Sequence, residues 1–147
     1  MQKQKAVIID IDGTIAQMTD RGVYEFHRVD EDLPKTKVIN WISEKIDRDT
    51  FIIFLTGRHH WCYEKTHSWL LRNFMYLHPG NELILLMKPD TDFRSSTITK
   101  REAFDANIQP YYDVVFAIDD AKKVITMWKE ECGLTTYRVN GDSIELI

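Results

Sequence analysis

Short, continuous apolar runs recur along the chain at Ala6-Val7-Ile8-Ile9, Phe51-Ile52-Ile53-Phe54-Leu55, Leu83-Ile84-Leu85-Leu86-Met87 and Val114-Val115-Phe116-Ala117-Ile118. Runs of this length without polar alternation predict strands buried on both faces. Thr135-Thr136-Tyr137-Arg138-Val139 reads as a further strand, and Ser143 to Ile147 as a last short one after the Asn140-Gly141-Asp142 turn. The intervening segments switch to a helical period. Thr36 to Asp47 gathers Val38, Ile39, Trp41, Ile42 and Ile46 on one side, and residues 61–77 repeat apolar positions at Cys62, Trp69, Leu70, Phe74 and Leu77. Lys100 to Ile108 predicts a shorter helix. Ala121 to Cys132, carrying Val124, Ile125 and Trp128, predicts another that stops at Gly133. Strand–helix alternation implies right-handed crossovers, hence an α/β fold: a Rossmann-like parallel sheet with helices on both faces. Ligands of such sheets gather beyond the carboxyl ends of the strands, so chemistry is expected directly after each apolar run.

The first run leads into Asp10-Ile11-Asp12-Gly13-Thr14. Carboxylates two residues apart point the same way if the strand continues. If the chain curls, the Ile11 carbonyl turns inward and joins them in a hard-oxygen set suited to Mg²⁺. An acidic turn closing a buried strand accounts for the same residues. The second run leads into Thr56-Gly57-Arg58, where a hydroxyl, a backbone amide and a guanidinium offer donors to phosphate oxygens. A turn with a surface arginine is the plainer account. The fourth run leads into Asp119-Asp120, whose charges repel unless a cation sits beside them. Helix capping by Asp120 is compatible with that. Lys100, read as opening the helix between the third and fourth strands, would neutralise carboxylates and a phosphate. Each signal alone is ordinary; their succession at strand ends is not.

Composition narrows the class. Hydrophobic residues at 44% and charged residues at 29% give an ordinary globular balance, and 147 residues fit one domain spanning 1–147. A net charge of −4 argues against broad, nonspecific nucleic-acid binding and leaves room for a local basic site. Cys62 and Cys132 form no C-x-x-C pattern, so two reduced thiols are expected rather than a zinc or redox motif. With no signal peptide or membrane span, a cytoplasmic location is expected. Trp41, Trp69 and Trp128 fall in helical apolar patterns and predict core, whereas Trp61 is expected near the cleft. His59 and His60 read as surface, and His27, His67 and His78 have no ligand spacing among themselves.

The hydrophobic-Asp-x-Asp-Gly-Thr run resembles the signature of the haloacid dehalogenase (HAD) superfamily of phosphotransferases, and Thr56, Lys100 and Asp119-Asp120 match its other motifs. A closer resemblance, over about residues 5–140, is to the phosphatase domain of phage-type polynucleotide kinase/phosphatase. It rests on Lys5 to Ala16, on Arg21-Gly22-Val23-Tyr24, on Asp92-Phe93-Arg94 with Lys100 six residues after the arginine, and on Ala117-Ile118-Asp119-Asp120 with Val124 and Met127-Trp128.

This resemblance implies a HAD-like, Mg²⁺-dependent phosphomonoester hydrolase. Asp10 would be the nucleophile, forming an aspartyl-phosphate, and Asp12 the proton donor and acceptor. Asp10, the Ile11 carbonyl and Asp119 would hold Mg²⁺, and Asp120 would orient Lys100 or a metal-bound water. Thr56 and Lys100 would bind the transferring phosphoryl group, with Gly57, Arg58 and Arg94 contacting substrate. The implied substrate is a phosphorylated nucleic-acid end or a nucleotide. A polynucleotide 3′-phosphatase in end repair is the leading reading, ahead of a 5′-nucleotidase or other small-phosphate phosphatase and of an inactive phosphate-binding or docking module. No G-x-x-x-x-G-K-[ST] loop is present, so a stand-alone phosphatase without kinase activity is expected. The gap from Ile15 to Leu33 is too short for a large cap domain, which leaves an open cleft suited to a large substrate.

Overall fold

The peptide groups of the apolar runs find their partners in one six-stranded sheet. The computed structural model describes residues 2–74 and 83–147. In chain order it contains β1 (Gln4–Ile9), β2 (Ala16–Gln17), β3 (Leu33–Pro34), α1 (Thr36–Lys45), β4 (Phe51–His59), α2 (Tyr63–Phe74), β5 (Ile84–Lys88), α3 (Ser96–Ala103), β6 (Tyr112–Asp119), α4 (Lys122–Thr126), β7 (Thr136–Asn140) and β8 (Ser143–Leu146). The sheet runs β5-β4-β1-β6-β7-β8, while β2 and β3 form a small separate ribbon. All neighbours in the main sheet are parallel except β8, which folds back on β7 through the predicted turn.

The order of strands positions the chemistry. From β1 the chain moves outward to β4 and β5, then returns to the other side of β1 with β6. The reversal opens a crevice between β1 and β6, the switch point at which such sheets bind ligands. Register brings the acidic corners together there: Ile9 is paired with Ile118, and the Asp10 amide donates to the Ile118 carbonyl at 3.1 Å.

Alternation along the strands sorts the core into two layers. Val7, Ile9, Phe54, Leu85 and Phe116 face Val38, Ile39 and Ile42 of α1 and Trp69, Leu70 and Phe74 of α2. Ala6, Ile8, Ile53, Leu55 and Ala117 face Phe104, Ile108, Val124, Met127 and Trp128, beneath α3 and α4. Burial of both faces is why the strands read as unbroken apolar runs.

Several boundaries differ from expectation. Helix α3 begins at Ser96, so Lys100 sits one turn inside it rather than opening it. Ser96 to Thr99 thus form its first turn, with Ser95 extended at the N-cap position. Both α3 and α4 continue as π-helical turns, Phe104–Ile108 and Met127–Glu131. Strand β4 continues through Thr56-Gly57-Arg58 to His59, where a turn was expected. Helix α2 covers Tyr63–Phe74 and follows a 3₁₀ turn, His60–Cys62; Leu77 and His78 lie outside the described residues. Trp69 and Trp128 are buried and Trp41 packs half-buried against the core, as their patterns predict, while Trp61, expected near the cleft, is exposed and is not among the residues that line it. Cys62 and Cys132 are free thiols, and no helix among the described residues is long and apolar enough to cross a membrane.

Candidate active site

At the carboxyl end of β1, Asp10 accepts two hydrogen bonds. One comes from Lys100 Nζ to Oδ1 at 2.7 Å, the other from Thr14 Oγ1 to Oδ2 at 2.9 Å. Lys100 reaches in from α3 and also donates to Asp119 Oδ2 at 2.7 Å. Its ammonium, 3% exposed, therefore bridges carboxylates from the two halves of the sheet. Asp119 uses its other oxygen to accept the Ala121 amide at 3.0 Å, fixing the start of α4.

Asp120 completes the acidic group: one carboxylate oxygen each from Asp10, Asp119 and Asp120 lies within 4.8 Å of the others. Burial raises the Asp10 pKa well above the usual carboxylate range, and the negative charge of Asp119 adds to this against the pull of Lys100. Burial and then Asp119 likewise raise Asp120. Burial also works against the Lys100 charge, but Asp10 and Asp119 outweigh it and hold the ammonium protonated. Three neighbouring carboxylates, two of them bonded to the one ammonium, offer an oxygen-only donor set with more acidic groups than cations. That donor set fits a hard divalent cation.

Two expectations are corrected here. The Ile11 carbonyl is not available to a cation, because it accepts the amides of Thr14, Ile15 and Ala16 at 3.1, 3.0 and 3.0 Å and so closes the turn after β1. Of the two roles expected for Asp120, the contacts argue against orienting Lys100, which leaves orientation of a metal-bound water as the expectation. Asp120 lies in the carboxylate group while Lys100 is bonded to Asp10 and Asp119.

Gly13 makes the approach of Asp120 possible. Its φ is +80°, and a Cβ there would stand 2.1 Å from Asp120 Oδ2. Gly13→Ala should strain the left-handed backbone by about 1–2 kcal/mol and push the Asp120 carboxylate aside. Thermal melts with and without saturating Mg²⁺ check this: the cation-induced rise in Tm should shrink markedly in the variant. An undiminished rise would exclude Asp120 from cation binding.

Asp12 belongs to a different network. Arg58 grips it in a fork, Nε to Oδ2 at 3.0 Å and Nη2 to Oδ1 at 2.8 Å, and Arg21 Nη2 adds a bond at 3.0 Å. Both arginines also hold the wholly buried carboxylate of Asp32, Arg21 at 2.7 and 2.9 Å and Arg58 at 3.0 Å. Arg58 Nη1 donates to Thr66 Oγ1 at 3.0 Å. Burial alone would raise the Asp12 pKa, but the hydrogen bonds and charge of Arg58, with the charge of Arg21, bring it below the usual value.

Arg58, 1% exposed, bonds Asp12, Asp32 and Thr66 and also lines the cleft, so it is not the surface arginine of the plainer account, and the expected contact with substrate would be made from inside this network. Thr56 Oγ1 accepts the Arg58 amide at 3.1 Å. With Arg94, Thr56 lines an adjoining cavity of about 310 Å³ that reaches Lys100 from the β5 side. Arg94 is half exposed and paired with Asp92 and Glu102.

Asp10, Asp12, Lys100, Asp119 and Asp120 open onto a cleft of about 220 Å³, which Gly57, Arg58 and Ser96 also line. A Cβ on Gly57 would meet Ser96 Oγ at 2.2 Å, so this glycine leaves room for the first turn of α3. Val23, Tyr24 and Phe26 form another wall. Sequence reasoning missed Ser96, Asp32 and the part played by Arg21. Arg21 had a signal in the Arg21-to-Tyr24 segment, whereas Asp32 and Ser96 matter only because remote segments converge on them.

Residues 4–143 match the family model of the polynucleotide kinase PNKP phosphatase domain. The chain is 30% identical over 143 residues to a protein of Autographa californica nuclear polyhedrosis virus described as a bifunctional polynucleotide kinase/RNA ligase, covering 96% of this chain and 20% of that one. Among solved structures it resembles a chain of the Pnkp1/Rnl/Hen1 RNA repair complex, with a TM-score of 0.81 and 33% identity over 94% of this chain and 43% of that one. A second Pnkp1/Rnl/Hen1 structure gives a TM-score of 0.82 and 32% identity, over 94% and 46% of the two chains. A HAD-like phosphatase from Mesorhizobium loti shares the fold, with a TM-score of 0.55 and 15% identity over 97% and 78%. The chain spans a fifth of the viral relative and under half of the repair-complex chains.

Proposed function

Because this chain belongs to the polynucleotide kinase phosphatase-domain family and is a HAD-type phosphatase, we propose that it removes 3′-phosphates from polynucleotide ends during nucleic-acid repair, through an aspartyl-phosphate on Asp10. The observation that carries this reading is the meeting of Asp10, Lys100 and Asp119 at the switch point, beside an open cleft. The relatives that name polynucleotide kinase and RNA repair support the choice of substrate. One sheet covered on both faces by helices of the same chain supports reading residues 1–147 as one phosphatase domain. Free thiols at Cys62 and Cys132 support a reducing, cytoplasmic setting.

In this mechanism a carboxylate oxygen of Asp10 attacks phosphorus while the bond to the leaving ribose oxygen breaks. Lys100 and Thr14 hold the carboxylate in place. Lys100 also offers positive charge to the transferring phosphoryl oxygens, and Ser96 adds a hydroxyl donor at the cleft wall. The carboxylates of Asp10, Asp119 and Asp120 would hold Mg²⁺, which when bound offsets the repulsion between carboxylate and anionic ester.

Asp12 then exchanges protons with the leaving oxygen and with water. Its arginine clamp favours the ionised form, which suits the second half-reaction: Asp12 takes a proton from the water that attacks the aspartyl-phosphate, releasing phosphate and free Asp10. For the first half-reaction Asp12 must carry a proton. The like charge of an incoming phosphate raises its pKa in that direction.

Phosphate release from a 3′-phosphorylated oligonucleotide, a 5′-phosphorylated one, and 3′- and 5′-mononucleotides tests the proposal. The 3′-phosphorylated oligonucleotide should be hydrolysed fastest, and EDTA should abolish release from every substrate. A preference for 5′-mononucleotides would make the protein a nucleotidase, and undiminished activity in EDTA would remove the metal.

A further inference from the structure

We propose that Tyr24, Trp61 and Phe93, joined through Phe26 and His59, form a stacking platform for the unpaired bases that precede the reacting phosphate of a single-stranded polynucleotide. The inference rests on the polynucleotide reading above and names how this chain would recognise that substrate.

Its starting point is exposure that the fold does not require. Tyr24 and Phe93 are each 82% exposed and Trp61 is 52% exposed. Isolated exposed aromatics need no explanation, but these rings are contiguous. Tyr24 packs edge-on against Phe26 with centroids 6.4 Å apart, and Phe26 lies 5.8 Å from His59 and 6.0 Å from Trp61. His59 in turn lies 5.4 Å from Phe93. Phe26 is anchored in a small core of its own with Val29 and Cys62, so the inner ring is fixed while the outer rings face solvent.

The surface is also held in shape. The loop after β4 and the loop after β5 are tied together: the Trp61 amide donates to Asp90 Oδ1 at 2.7 Å, and His59 Nε2 is 2.8 Å from the Asp92 carbonyl. Arg94 clamps the Asp92 carboxylate at 2.8 and 3.0 Å. These bonds use the acidic groups of the loop internally and fix the backbone on either side of Phe93. A preformed surface binds without the cost of ordering itself.

Continuity with the cleft selects the occupant. Tyr24 and Phe26 are walls of the cleft that contains Asp10 and Lys100. Trp61 and Phe93 follow the carboxyl ends of β4 and β5, the end of the sheet at which Asp10 and Asp119 lie. A chain whose terminal phosphate sits on Asp10 and which leaves along this wall passes over the rings. Every base has a π-face, so such a platform works without reading sequence. It also works without a basic surface, which reconciles a nucleic-acid substrate with a net charge of −4. A mononucleotide brings only one base to this surface, whereas an oligonucleotide brings several.

The test compares kcat/KM for a short 3′-phosphorylated single-stranded oligonucleotide with kcat/KM for the matching 3′-mononucleotide, in the wild type and in Trp61→Ala, Phe93→Ala and Trp61→Phe. The ratio is independent of how much protein is correctly folded. It should fall about ten-fold with each ring removed, mainly through KM, and Trp61→Phe should recover most of the loss. In the wild type, abasic sites near the 3′ end of the oligonucleotide should lower the ratio as truncating the rings does, with little further loss when the two are combined. If the wild type prefers the oligonucleotide and the alanine variants keep that preference, the platform is wrong while the polynucleotide reading stands; a surface that docks a protein would give this result. If the wild type shows no preference for the oligonucleotide, the polynucleotide reading fails and the platform fails with it.

Discussion

Asp10→Asn should lower phosphate release by on the order of 10⁴-fold or more, the scale of losing a nucleophile whose partners cannot act alone. The substitution removes the attacking oxygen's charge but nearly preserves shape, so the loss should be one of chemistry rather than of folding. The surroundings of Asp10 sharpen that expectation. Burial and the neighbouring Asp119 both disfavour its charge, and only Lys100 and the Thr14 hydroxyl favour it. A neutral amide therefore relieves repulsion while giving up part of one ion pair, and urea denaturation without metal should find the variant close to wild type in stability. Retained turnover by purified Asp10→Asn would end the covalent mechanism. A collapse of stability would mean that the lost activity says nothing about chemistry.

Arg58→Met should have the largest effect on stability, about 3–5 kcal/mol, as expected when one partner of a buried ionic network is deleted. The methionine fills much of the space but leaves Asp12 and the fully buried Asp32 to Arg21 alone, and Thr66 without its guanidinium donor. The midpoint of urea unfolding measures this directly. Arg101→Met is the matched comparison: Arg101 also serves two carboxylates, Asp105 and Glu131, but at the surface. Its loss should stay within about 1 kcal/mol. Equal shifts for the two variants would show that burial of the Arg58 network adds nothing.

What was legible in the sequence follows from how local each determinant is. The strands could be read from their composition because both faces of the sheet are covered. Asp10 and Asp119 could be singled out because they close apolar strands, whereas Lys100 is legible through its match to the family motif, because it lies one turn inside the helix rather than at its start. The Ile11 carbonyl was expected at a cation because alternation along a strand says where a carbonyl can point but not which amides claim it. Gly13 turns the chain so sharply that the amides of Thr14, Ile15 and Ala16 converge on that oxygen. The burial of Arg58 was hidden for the opposite reason. Its partners Asp12, Asp32 and Thr66 come from three separate segments, so nothing near Arg58 in sequence marks it as buried. The aromatic surface could be only half anticipated. Trp61 stands outside any helical stripe, but its association with Tyr24 and Phe93 depends on how loops from different strands are tied.

The lysine bridging Asp10 and Asp119 bears on the order in which this protein matures. It acts as a built-in counterion, so the most repulsive corner of the molecule is partly neutralised as soon as α3 docks. The polypeptide can thus reach its final shape before any cofactor arrives. Under the mechanism proposed above, Mg²⁺ would then enter a site already shaped to receive it, and its removal would leave the architecture intact.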